Sequence, residues 1–227
     1  MPADAPKPFY YRHTSHDLIS RVSLAARRQI FARFMDELRP SPQDEILDVG
    51  VTQDRTRPES NFFEALYPHP EKVRAASVED ASGIERDFPG VRFTRFRAGG
   101  PLPFEDDAFD AAFCNAVVEH VGGPAKQRDF VREIVRVSRR GLIATPYRYF
   151  PVEAHTVLPL AHWLPRRQHR AILRTLGFGE LASEDRLHLL DRGEVRALFP
   201  DGVSVELFFT RVLGWPANVV AVYRKAA

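Results

Sequence analysis

The sequence predicts an α/β fold: a seven-stranded mixed sheet, its last strand antiparallel, with helices on both faces and a helical insertion between strands five and six. Three observations carry that reading. Five short apolar runs alternate with helical patterns early in the chain, and such alternation implies a parallel sheet covered on both sides. Two further runs are joined by TRVLGWPA, which has no room for a helix, so they pair antiparallel. Between the fifth and sixth runs, residues 147–200 are too many for a structureless loop.

The strands are read at EILDVGV (45–51), KVRAASV (72–78), VRFTRF (91–96), FDAAFCNAVV (109–118), GLIATP (141–146), VSVELFF (203–209) and NVVAVYR (218–224). A helix over 15–39 carries Leu24, Phe31, Phe34, Met35 and Leu38 near the helical spacing, and Pro40 and Pro42 end it. Arg21, Arg27, Arg28 and Arg33 on this stretch form a solvated face or meet an anionic ligand. Residues 60–68 suit a short helix. The stretch 124–140 suits a long one, opened by Pro124 after Gly122 and Gly123, with Phe130, Ile134 and Val137 on one face. In the insertion, helices are expected near 158–176 and 191–199. Residues 1–13 read as an arm whose Phe9, Tyr10 and Tyr11 dock on the body. One domain results: arm and helix (1–43), core (44–146), insertion or lid (147–200) and a final strand pair (201–227).

Composition narrows the function classes. The chain has 227 residues, 44% of them hydrophobic, enough for one sizeable core. Lys and Arg number 32 against 30 Asp and Glu, so no charge bias calls for a nucleic-acid partner. A single cysteine excludes a disulfide framework and a Cys-rich zinc site and fits a cytoplasmic setting. No apolar run approaches the roughly 20 residues of a membrane span, and MPADAPKPFYY lacks the apolar stretch of a signal peptide.

Ligands of open parallel sheets bind outside the carboxyl ends of the strands, where the strand order reverses. The residues there are Asp48-Val49-Gly50 after the first strand and Val78-Glu79-Asp80 after the second. The fourth ends Cys114-Asn115, followed by Val118-Glu119-His120. A carboxylate such as Glu79 can accept both hydroxyls of a ribose, and Gly50 admits a ligand close to the backbone.

With EILDVG, SVED, GGPLPFEDDAFDAAFCNAVVEHV and VREIVRVSRRGLIATP in this order, residues 44–146 resemble the class I S-adenosylmethionine-dependent methyltransferases, of the small-molecule, type 11-like kind. The resemblance implies a Rossmann-like fold and S-adenosylmethionine as cofactor. By position it implies that Asp48 and Gly50 line the methionine moiety, Glu79 holds the adenosine ribose and Asn115 sits beside the sulfonium. Structural roles are the alternative, with Asp48 in a turn and Glu79 capping a helix.

Two departures stand out. The family's glycine-rich Asp-x-Gly-x-Gly-x-Gly is here DVGVTQDRTR, with Gly50 alone, and Ala98-Gly99-Gly100 replaces the acid that contacts the adenine. Asn61, Asp54 and Glu64 are candidates to replace the lost contacts. A bacterial subgroup is similar in these features, through Asp48-Val49-Gly50-Val51-Thr52, Ser60-Asn61, Glu64, Pro151-Val152-Glu153-Ala154-His155-Thr156 and His162-Trp163-Leu164-Pro165.

Methyl transfer to a hydroxyl needs an aligned acceptor and a place for its proton, a task that suits histidine. His155, with Glu153 to hold its second nitrogen, and His120 are the candidates, against loop-anchoring or local capping roles. His162 beside Trp163 reads as structural. Glu153, His155 and His162 have no recognised metal-ligand spacing, so no metal is expected. Cys114 reads as a small buried hydrophobe. Arg166, Arg167, Arg170 and Arg174, beside Leu160, Trp163 and Leu164, form a lid's solvated face or a surface for an anionic or lipid-linked acceptor, with peripheral membrane contact. The expected activity is methylation of a small-molecule or glycan-like acceptor, at oxygen. The alternative is a methyltransferase-fold binding or scaffold protein without turnover, motivated by the two missing contacts.

Overall fold

The computed structural model describes residues 16–54, 60–153, 155–156 and 158–226. Phe9, Tyr10 and Tyr11 lie outside them. Among the described residues seven strands form one sheet: β1 (Ile46–Val49), β2 (Val73–Ser77), β3 (Arg92–Arg95), β4 (Ala111–Asn115), β5 (Arg140–Pro146), β6 (Val203–Val212) and β7 (Trp215–Lys225). Their order is β3-β2-β1-β4-β5-β7-β6. The first five are parallel, and β7 runs antiparallel to both β5 and β6. The chain steps outward from β1 to β3 and then resumes on the other side of β1. The crevice above β1 and β4 is therefore the switch point where such sheets bind ligands.

Each face of the sheet has its own core. On one, Ile30, Phe34 and Leu38 of α1 (His16–Leu38) pack with Phe62 and Phe63 of α2 (Phe62–Leu66) and Ile84 of α3 (Ile84–Asp87). The rings of Phe63 and Phe113 stack at 4.5 Å between centroids and Phe34 meets both edge-on, geometries that add to simple area burial. On the other face, Val131, Ile134 and Val135 of α4 (Pro124–Val137) pack with Val195 of α6 (Arg192–Arg196).

Several boundaries differ from the sequence reading, each for a local reason. The first strand stops at Val49 because Gly50 turns the chain at φ 106°, and the fourth stops at Asn115 because Ala116 does so at φ 58°. The helix expected over 124–140 ends at Val137, where Ser138 becomes extended and hands the chain to β5. The helix expected over 158–176 is broken by Pro165, which forces Leu164 into extended backbone. What forms is a 3-10 turn at Ala161–Trp163 and then α5 (Arg166–Thr175). The helix expected over 191–199 shortens to α6, opened by a capping box in which Asp191 and Glu194 each accept the other's backbone N–H. The short α3 had no sequence counterpart. The last two strands run on to a two-residue turn at Leu213-Gly214, both at positive φ, the geometry of tight hairpins.

On α1 the buried stripe is Ala26, Ile30, Phe34 and Leu38, with Leu24 only half-buried and Phe31 and Met35 at the stripe's edge. Arg33 lies 4.3 Å from the centre of the Phe208 ring and pairs with Glu37, and Arg27 lies over Phe62. Among the described residues no helix is long and apolar enough to cross a membrane.

Candidate functional site

The carboxyl ends of β1, β2, β4 and β5 converge above the switch point. Asp48, in β1, is 6% exposed, and Glu64, on the first turns of α2, is 4% exposed. Burial raises the Asp48 carboxyl well above the carboxylate range, and the neighbouring Glu64 charge raises it further. Burial also raises Glu64, partly opposed by its contact with Asp48. Apart from the Asp48 carboxyl, with which it can share a proton, Glu64 has no hydrogen-bond partner among the described residues. Two buried acids side by side make a place where a proton or another cation is strongly favoured.

The loop after β1 is shaped by Asn61, which sits in the left-handed region at φ 50°. Its side-chain oxygen accepts the Thr52 N–H at 3.0 Å and its amide donates to the Thr52 carbonyl at 2.7 Å. Both ends of this predicted cofactor residue are thus engaged in closing the loop. Gly50 faces Val117: a Cβ at Gly50 would lie 2.1 Å from Val117 Cγ2. Glu79 stands exposed just beyond β2, its N–H donating to Ser77 Oγ at 3.3 Å. Asn115 closes β4, half-buried, opposite Ala144 of β5. Asp54 borders the same loop.

Beside these lies a second group. The 3-10 turn Val118–His120 follows β4, and the loop carrying Glu153 and His155 follows β5. Because β4 and β5 are parallel neighbours, their following segments meet. His155 Nε2 lies 3.1 Å from His120 Nε2. His155 Nδ1 is 2.5 Å from Glu153 Oε1, and Glu153 also accepts the backbone N–H groups of His155 and Thr156 and the Thr156 hydroxyl. Burial opposes the Glu153 charge, yet the His155 and Thr156 hydrogen bonds hold its carboxyl down at about 2. Burial likewise opposes a charged His155, and the Glu153 carboxylate overrides it, raising the imidazole above its ordinary value.

His120 Nδ1 donates to the Arg186 carbonyl at 2.9 Å. Glu119 is 0% exposed; its Oε2 accepts the Thr145 hydroxyl at 2.9 Å, and its Oε1 has no hydrogen-bond partner among the described residues. The insertion is tied to this turn by the His188 N–H donating to the Glu119 carbonyl and by Gln127, which donates to the Val118 and His188 carbonyls.

Sequence reasoning placed His120 and His155 here but assigned no role to Glu119, and it weighed a different trio for metal, with His162. The structure sends His162 elsewhere: its Nε2 donates to the Phe150 carbonyl at 2.7 Å. His162 lines a cavity of the insertion with Arg148, Arg166, His169 and Arg170. There Arg166 pairs with Glu194 and Arg170 with Glu184, while Arg167 and Arg174 stay exposed. Two of these four arginines are thus ion-paired and two are exposed. Cys114 is fully buried in β4, and burial pushes its thiol well up, so it is an inert core residue.

Residues 68–144 match the family model described as a methyltransferase domain. Among curated proteins none matches the sequence. Solved structures share the fold. The 1,6-didemethyltoxoflavin-N1-methyltransferase of Burkholderia thailandensis is 16% identical, with 100% of this chain and 94% of that one covered at a TM-score of 0.56. The magnesium protoporphyrin IX methyltransferase of Synechocystis is 12% identical, over 96% and 91%, also at 0.56. An S-adenosylmethionine-dependent methyltransferase of Mesorhizobium loti is 15% identical, over 90% and 100%, at 0.56. The architecture is the class I methyltransferase fold.

Proposed function

We propose that the chain is an S-adenosylmethionine-dependent methyltransferase acting on a small-molecule or glycan-like acceptor, at oxygen. The observation that carries this reading is the histidine–carboxylate group at the ends of β4 and β5, set beside the switch point of a chain whose residues 68–144 match a methyltransferase domain. The cofactor fits the residues present. Its α-ammonium suits the buried Asp48–Glu64 pair, where Glu64 has no other partner among the described residues. Glu79 would hold the ribose hydroxyls, Gly50 and the Asn61-closed loop the methionine chain, and Asn115 the edge nearest the acceptor. When bound, the cofactor supplies an activated methyl group that leaves sulfur for the acceptor oxygen while the C–S electron pair stays on sulfur.

The protein then has two tasks: hold the acceptor oxygen in line at about 3–3.5 Å and give its proton somewhere to go. An amine acceptor with a free lone pair needs no such help before attack, whereas a hydroxyl does, and this favours oxygen. His120 and His155 handle that proton, with Glu153 holding the His155 ring. The balanced charge keeps nucleic acid out of the reading, and the buried lone cysteine suits a cytoplasmic setting. Exposed Trp163 and Leu164 beside exposed Arg167 offer a peripheral membrane contact.

Calorimetric titration with S-adenosylmethionine and S-adenosylhomocysteine tests the cofactor half. Micromolar binding that Glu79→Ala weakens supports it, and no heat at millimolar ligand overturns it. A screen of hydroxyl and amine acceptors with labelled cofactor tests the rest. One observation favours the second reading, a scaffold without turnover: the Val117 side chain fills the space in front of Gly50. In that case no acceptor is methylated and the chain binds cofactor weakly or not at all.

A further inference from the structure

We propose that Glu119, His120 and His155 form a binding site for a divalent transition-metal ion. Glu119 Oε1, His120 Nε2 and His155 Nε2 all lie within 4.8 Å of one another. The protonation pattern around them is the first argument. The Arg186 carbonyl can only accept, so His120 carries its proton on Nδ1, and the Glu153 carboxylate fixes the His155 proton on Nδ1 in the same way. Each neutral ring then turns its Nε2 lone pair toward the other across 3.1 Å. Across that gap either a proton, with His155 as an imidazolium donating to His120, or a metal ion must lie.

Glu119 is the second, independent argument. Its carboxylate is completely buried and Oε1 has no hydrogen-bond partner among the described residues, 3.9 Å from His120 Nε2. A proton shared by the imidazoles would leave that oxygen unsatisfied. A divalent ion would satisfy all three atoms. Two nitrogens bonded at 2.0–2.1 Å to a tetrahedral ion stand about 3.3–3.4 Å apart, so the imidazoles need only a slight opening and Glu119 a small side-chain rotation.

Every ligand is also held from behind: His120 by the Arg186 carbonyl, His155 by Glu153 and Glu119 by the Thr145 hydroxyl. Such outer partners orient metal ligands and set their tautomers. Two imidazoles and one carboxylate suit Zn²⁺, Fe²⁺ or Mn²⁺ better than Mg²⁺ or Ca²⁺, and leave coordination positions open. The His120 side chain is 37% exposed, so the open side faces solvent. The role of the ion, unlike its binding, rests on the methyltransferase reading: it would lower the proton affinity of an acceptor hydroxyl, and the histidines, with both Nε2 atoms on the ion, would then be its ligands while the proton passes to solvent.

The test uses the full chain, without a histidine tag and stripped with chelator, titrated with Zn²⁺ by calorimetry and with Co²⁺ by visible absorption, both without cofactor. One equivalent is expected at micromolar affinity or better. His120→Ala, His155→Ala and Glu119→Gln should each weaken it at least ten-fold, while His69→Ala leaves it unchanged. Should an alanine variant fail to melt cooperatively, His120→Asn and His155→Asn replace it with the same expectation. Absence of binding at millimolar ion, or binding that survives both histidine substitutions, overturns the site. Cofactor affinity measured on the stripped protein reports separately on the methyltransferase reading.

Discussion

Replacing Glu64 by glutamine removes one of two carboxyls buried together beneath the first loop while preserving side-chain volume. In the folded protein both acids are shifted upward, Asp48 by burial and then by Glu64, and Glu64 by burial. The fold therefore holds protons on this pair more tightly than the unfolded chain does. Its contribution is undisturbed below the ordinary carboxylate range and is lost as pH rises through the raised values. An unsatisfied buried polar group costs about 1–3 kcal/mol, and a charged one more. Glu64→Gln, whose amide can donate to Asp48, should thus stabilise the cofactor-free protein by about 1–3 kcal/mol at pH 8. That corresponds to about 2–4 °C of melting temperature per kcal/mol for a chain of this size. Near pH 4, with both acids protonated, the gain should vanish.

Cofactor binding should move the other way. With the ammonium deprived of its partner, affinity for S-adenosylmethionine should fall at least ten-fold, or about 1.4 kcal/mol. Melting curves by circular dichroism at the two pH values, with calorimetric titration at pH 8, read both effects. Opposite signs are the signature, since general damage lowers both. A variant no more stable than the parent at pH 8, or one that binds cofactor equally well, refutes the cation-site reading of Asp48 and Glu64.

Two further substitutions probe the same region and a third is a control. Val117→Ala clears the space before Gly50 and should tighten cofactor binding several-fold by calorimetry, at a stability cost of about 1 kcal/mol for the lost half-buried methyls. Gly50→Ala combines a φ of 106° with the 2.1 Å approach to Val117 and should lower stability by more than about 1–3 kcal/mol in urea denaturation. Asp191→Ala removes the cap of α6, away from the site, and should cost about 1 kcal/mol in the same assay with cofactor affinity unchanged.

The sheet was legible because its strands are local signals. Each apolar run is a few residues long and each became a strand, the errors falling where a backbone turn rather than hydrophobicity sets the end, as at Gly50 and Ala116. Pro165 was visible in the sequence and its consequence for the insertion helix could have been read from it. The candidate site residues came from two different signals. Asp48, Gly50, Glu79 and Asn115 stand at strand ends by the geometry of a parallel sheet. Glu64 and Asn61 entered as candidates only through the family resemblance, because their places depend on how α2 folds back under the loop after β1 and no spacing rule connects position 48 with 64.

Glu119 shows the limit most clearly. Beside Val118 and ahead of His120 it reads as one more polar residue after a strand, and nothing near it in sequence says that its side chain turns inward to Thr145. Its partner His155 lies 35 positions from His120. Only the strand order brings them together: because β4 and β5 are hydrogen-bonded in parallel, Asn115 stands beside Ala144, and the segments that leave both strands must cross the same edge. Two Glu–His pairs, 119–120 and 153–155, are then carried to one place by topology. Had β5 paired elsewhere, each would be an exposed loop histidine with an acidic neighbour. The chemistry of this site is therefore a property of the strand order, with the residue types supplying what the order brings into contact.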